Sequence, residues 1–162
     1  RLSLSALLNS EFNYGTTQWK TRGGVELFHV STAELSGDSA LEIKFTDDPL
    51  AAVFQENLGT ELGRKEWSEG GRSLISVTTG NTYLISFLAK SVSGNGLIKI
   101  SVEEVSTGRT VWISESITLS TETNDYEVPF IPTQDISGLR FVISSGSTFQ
   151  RLYIDRIQFK RL

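Results

Sequence analysis

The sequence predicts an all-β domain, an antiparallel two-sheet β-sandwich of the jelly-roll type. Three observations carry the prediction. Short runs alternate apolar and polar residues, turn residues punctuate them at a spacing near ten residues, and no helical period is sustained over three turns. The 162 residues suit one domain with a proper core, and no second compositional block, linker or repeat divides residues 1–162.

The elements follow in chain order. The first 28 residues read as an extended lead-in with a turn at Asn13–Gly15, with a short strand as the alternative. In LEIKF, Leu41, Ile43 and Phe45 share one face. SLISV (Ser73–Val77) leads through TTGN to TYLISFLAK (Thr82–Lys90), and the Gly-Asn pair is expected to close a hairpin. Tyr83, Ile85 and Phe87 fall on its core face. After SGNG comes LIKISVEEV (Leu97–Val105), then the STGR turn and TVWISESITL (Thr110–Leu119). YEVPF (Tyr126–Phe130) carries Pro129, which cannot donate to a ladder and marks an edge strand. LRFVIS (Leu139–Ser144) and LYIDRIQF (Leu152–Phe159) close the domain.

Composition removes several chemistries. At 38% apolar and 21% charged residues the chain reads as globular. A net charge of −4 argues against nucleic-acid partners and anionic membranes, which need a basic surface. No apolar run approaches the roughly 20 residues of a spanning helix, so membrane insertion is not expected. Without cysteine there is no thiolate catalysis, disulfide or Cys-based zinc site. The single histidine, His29, has no nucleophile elbow to serve and reads as an ordinary strand or loop residue. A start at Arg1 and the lack of any Met point to an excised domain or processed product.

Four segments then carry a resemblance. NSEFNYGTTQW (Asn9–Trp19) resembles the N-x-x-F-x-x-G-x-x-x-W opening of carbohydrate-binding modules of families four, nine, sixteen and twenty-two. GDSALEIKF (Gly37–Phe45), LISVTTGNTYLISFLAK (Leu74–Lys90) and LYIDRIQF (Leu152–Phe159) resemble three further segments of that group, in the same order. The resemblance implies a jelly roll, glycan binding on a concave sheet or at loop tips, and a structural calcium near the paired termini. It implies a secreted or cell-surface module attached to a glycan-degrading enzyme or surface protein in a larger multidomain protein. A β-linked plant or algal polysaccharide is the implied ligand. The segment between Phe54 and Ser73 is long for the group.

Sugar recognition sets its own requirement. A pyranose packs its C–H face on an aromatic ring and needs planar polar partners for its hydroxyls. Trp67 lies in GRKEWSEGGR, a charged, glycine-rich stretch unsuited to a core, where it meets a glycan or stacks with Arg64 or Lys65. Strand alternation places Val111, Ile113 and Ile117 inward, after a slip within SES, and Trp112 outward with Ser114 and Ser116. Across the STGR turn, Trp112 is then expected near Glu103 or Val105, bordered by Ser101. The alternative is that Trp112 packs or that the faces are reversed by a bulge. Glu69, Arg72, Glu103 and Arg109 are candidate hydroxyl partners, with Arg140 and Arg151 behind them. Trp19 is expected to be structural, while Tyr126 and Phe149 are assigned to neither class.

Asp155 interrupts a strand-like run, and Asp is depleted in strands. A bulge, an edge or a hard cation would explain it. The resemblance implies calcium, ligated by Asp155 with Glu11, Asn13 and backbone carbonyls around Asp38 and Ser39. An acid usually stands in place of Asn13, and its loss weakens the site. No catalytic residue is assigned: no strand shows paired inward acids, and Glu103 and Glu104 are adjacent and face opposite sides. The competing reading is a structural or protein-interaction jelly roll, with Trp67 and Trp112 buried against a neighbour.

Overall fold

The computed structural model describes residues 19–30, 39–56, 75–92, 94–145 and 149–162. Among them are twelve strands and no helix. They are β1 (Lys20–Arg22), β2 (Glu26–Val30), β3 (Ala40–Phe45), β4 (Ala52–Glu56), β5 (Ile75–Val77) and β6 (Tyr83–Ser91). Then follow β7 (Gly96–Glu104), β8 (Thr110–Ile113), β9 (Ile117–Leu119), β10 (Asn124–Phe130), β11 (Ile136–Ser144) and β12 (Gln150–Arg161). One sheet has seven strands in the order β1-β4-β11-β7-β8, with β5 also on β11 and β9 also on β7. The other has five, in the order β10-β6-β12-β3-β2. Every pairing is antiparallel. This is the expected all-β sandwich.

The core lies between the sheets. Ile98, Ile100 and Val102 of β7 meet Leu139, Phe141 and Ile143 of β11 on one side. Leu41, Ile43, Phe45, Tyr83, Ile85 and Phe87 come from the other. All are buried because their strands alternate strictly at these positions. Trp19 is buried edge-on against Phe141, with ring centroids 6.2 Å apart, as a structural residue. His29 is an exposed strand residue opposite Leu41. β10 is the edge strand that Pro129 predicts.

Two expectations need correction. β5 does not form a hairpin with β6; it pairs with β11 in the other sheet. The TTGN segment is instead a corner between sheets, where Gly80 takes φ 90° and Asp135 accepts hydrogen bonds from the Thr79 amide and hydroxyl. Second, Trp112 points inward. Counting from Thr110, which lies opposite Glu103, regular alternation would put Trp112 across from Ser101. A bulge leaves Val111 unopposed, so Trp112 stands across from Val102, on the core side. Ile113 takes the outward position and is 52% exposed. The interruption within SES is present as well, separating β8 from β9.

A second bulge explains Asp155. In β12, Asp155 pairs with Leu88 and Gln158 with Ser86, so one residue is extra. The extra residue resets the phase: Leu152 and Ile154 point inward before it, Ile157 and Phe159 after it, and all four are buried. Arg156 adopts φ 51°, a left-handed conformation unusual for a non-glycine residue. Its amide donates to Asp155 Oδ1 at 2.8 Å, which fastens the bulge.

Candidate functional site

Glu103 points away from the core on β7, as predicted, and it is the centre of a polar cluster. The outward residues of the seven-stranded sheet run from Arg22 on β1 through Phe54 on β4 and Arg140 on β11 to Glu103 on β7. Arg22 donates to both oxygens of Glu103, Nη1 to Oε1 at 3.0 Å and Nη2 to Oε2 at 2.6 Å. Arg140 Nη1 donates to Oε1 at 2.9 Å. The Phe54 ring lies beneath both guanidiniums, with its centroid 5.7 Å from Arg22 Cζ and 5.3 Å from Arg140 Cζ.

The Arg22–Glu103 pair also spans this face. β1 and β7 are separated by β4 and β11. Three inter-strand spacings make about 14 Å. An extended arginine, an extended glutamate and the hydrogen bonds between them cover that distance, so the two side chains lie along the sheet over β4 and β11. Local geometry aims Arg22. Gly23 takes φ 73°, and a Cβ there would sit 2.6 Å from the Ala51 backbone. Only glycine lets β1 approach the Leu50–Ala51 turn so closely. Arg22 Nε then donates to the Leu50 carbonyl at 3.2 Å, which braces the guanidinium.

Burial pushes the Glu103 carboxyl up. Hydrogen bonds from Arg22 and Arg140, and then their charges, outweigh it and hold the pKa below the ordinary value. Glu103 is therefore an ionised acceptor and a poor general acid. A glycosidase acid needs the opposite shift.

The remaining candidates are dispersed. Arg109 is exposed in the STGR turn and pairs with Glu104 at 3.9 Å, apart from the Glu103 cluster. Arg151 pairs with Glu42 on the outward face of the five-stranded sheet. Trp112 and Glu103 lie on opposite sides of their sheet, so the expected platform of Trp112, Ser101, Ser114 and Glu103 does not assemble. The Ser114 hydroxyl is used internally, accepting from the Ile100 amide and donating to the Glu115 carbonyl. Tyr126 stacks on Phe87, centroids 5.4 Å apart, and Phe149 is exposed. Trp67, Glu69 and Arg72 lie outside the described residues, as do Glu11, Asn13 and Asp38 of the expected calcium site. Among the described residues, no group of three His, Asp or Glu side chains gathers around a common point.

Two members of the cluster, Arg22 and Phe54, were not among the sequence candidates. Arg22 sits 81 residues from Glu103. The short KTR and AVFQE strands that carry Arg22 and Phe54 lack sustained alternation.

The fold is shared with glycan-active proteins. An arabinose-bound α-L-arabinofuranosidase, MgGH51, superposes with a TM-score of 0.73 at 14% identity, covering 99% of this chain and 27% of that one. The CBM22-1 xylan-binding domain from Paenibacillus barcinonensis Xyn10C gives 0.70 at 17% identity, covering 99% and 96%. The CBM22-1–GH10 modules of the Clostridium thermocellum xylanase 10B, complexed with xylohexaose, give 0.66 at 14%, covering 94% and 28%. This chain thus spans about a quarter of the length of the arabinofuranosidase and of the xylanase structure. At these identities the likeness is one of fold. No curated protein sequence matches the chain. Residues 58–150, more than half of the sequence, match the carbohydrate binding domain family, and the chain belongs to that family.

Proposed function

We propose that the chain is a non-catalytic module that binds a polysaccharide on the outward face of its seven-stranded sheet. The observation that carries this reading is the convergence of Phe54, Arg22, Arg140 and Glu103 in a member of the carbohydrate binding domain family. An aromatic ring offers a surface for sugar C–H groups, and fixed planar donors and acceptors orient hydroxyls. The arginines and Glu103 hold one another in place, so the surface is organised before a ligand arrives, which lowers the entropy lost on binding.

Trp67, Glu69 and Arg72 also contact the glycan in this reading. Arg109 contributes at the margin. The ligand is a β-linked plant or algal polysaccharide, with xylan first to be tested because it is named for a structural neighbour. The module works in a secreted or cell-surface protein, joined to a glycan-degrading domain. The neighbours that are about four times longer than this chain support that context.

Titration calorimetry against soluble xylan, mixed-linkage β-glucan and mannan tests the function. Binding to one of them, weakened at least about tenfold in Phe54→Ala and in Trp67→Ala, is the expected result. Absence of binding to every glycan by the folded wild type would overturn it. We also propose a structural calcium held by Asp155 with Glu11, Asn13 and carbonyls near Asp38. A higher melting temperature in calcium than in EDTA is expected; equal temperatures would discard the metal.

A further inference from the structure

Inward rotation gives Trp112 a different surface. β8, residues 114–116 and β9 form one wall of a groove, and β10 forms the other, enclosing about 590 Å³. That volume lies within the roughly 300–1,000 Å³ of small-molecule sites. The groove opens between the edge strands of the two sheets. Its floor is Trp112, Ile117, Tyr126 and Val128, all half-buried and packed on the core. Trp112 rests against Phe130 with centroids 4.9 Å apart, and Tyr126 against Phe87, so neither ring is free to swing away.

The rim has the opposite character. Glu115 and Glu127 are exposed on facing walls, with the hydroxyls of Ser116 and Thr118. Among the described residues, no Lys, Arg or His lines the groove. Its field is negative and disfavours uronate, sulfate or phosphate groups. An aromatic floor beneath a rim of acceptors and hydroxyls matches a neutral sugar, apolar on its faces and hydroxylated at its edge. A peptide strand fits less well. Pro129 removes a donor from the β10 edge, and the Ser114–Ser116 break interrupts the facing edge.

We propose that this groove is a second glycan site, for a neutral oligosaccharide, independent of the Glu103 face; the ligand class rests on the function proposed above. The test uses the whole chain labelled with ¹⁵N and titrated with xylohexaose, with cellohexaose, and with hexagalacturonate. Trp112→Phe identifies the Trp112 indole signal while keeping an aromatic ring on Phe130. Phe54→Ala disables the Glu103 face. The expected result is that one neutral hexasaccharide shifts the Trp112 indole and the amides of Glu115–Thr118 and Asp125–Val128, in wild type and in Phe54→Ala alike. Glu115→Gln with Glu127→Gln should weaken that titration about fivefold. If signals on β7 and β11 move while those around the groove stay still, the second site is overturned and the function proposed for the Glu103 face stands. If no hexasaccharide moves any signal, both fall. Groove shifts with hexagalacturonate would overturn the neutral-ligand assignment.

Discussion

Glu103 and Glu42 are buried acids on the outward faces of opposite sheets, and both are held by arginine. Their surroundings differ. Among the described residues, Glu42 takes one cation, Arg151 from the neighbouring strand, whose side chain is 48% exposed. Its cross-strand neighbours are Phe28 and Tyr153, and Phe28 is capped separately by Lys44. Glu103 takes two cations, and Arg22 reaches it over two intervening strands. One ring, Phe54, sits beneath both of them. The same ion-pair chemistry thus makes a local clamp on one face and a convergent, pre-ordered surface on the other. Convergence, rather than the mere presence of charge, distinguishes a candidate site from a solvated face.

The largest break in this comparison should come from Glu103→Gln. It leaves two guanidiniums facing an amide that cannot accept both at full strength. About 2–3 kcal/mol of stability should be lost in urea denaturation, together with glycan binding on the face that carries Glu103. Acid should erase the contrast. A carboxyl with a lowered folded pKa stabilises the fold above its ordinary value of 4.5, and that stability disappears as pH falls through the lowered pKa. Asp135, lowered by the Thr79 hydroxyl and then the Thr79 amide, acts in the same direction. The Glu103 share is therefore the difference between wild type and Glu103→Gln across pH 5 to 2, expected to shrink towards the acid end. The smallest effect belongs to Glu42→Gln. Its exposed partner should keep the change within the scatter of surface ion pairs, with glycan binding intact. A loss equal to that of Glu103→Gln would erase the distinction between the faces.

Local alternation made β3, β6, β7, β11 and β12 legible, since their inward residues recur at every second position. β2 and β4 were hidden. ELFHV is an exposed edge, and AVFQE buries Gln55 with Val53 on its inward face, so neither shows a clean apolar–polar alternation. Half of the candidate site was legible: Glu103 and Arg140 lie on strands whose parity is plain. Arg22 and Phe54 were not, because which strands adjoin is set by long-range pairing that no local window records. Trp112 was misplaced by one unopposed residue. Parity along a strand survives only until the first bulge.

Val111 and Arg156 each stand as the one additional residue in an otherwise continuous ladder. In evolutionary terms each position can absorb an insertion, and the strand beyond it keeps its pairing. Removing Arg156 would give LYIDIQF, in which Leu, Ile, Ile and Phe alternate without interruption and the core keeps its members. Comparison with a relative that lacks the extra residue must therefore open a gap inside β12, in the middle of a strand where gaps are ordinarily penalised. Without that gap, every core position after Asp155 is set against a surface position. At identities of 14–17%, such one-residue slips are enough to hide a shared fold from sequence comparison.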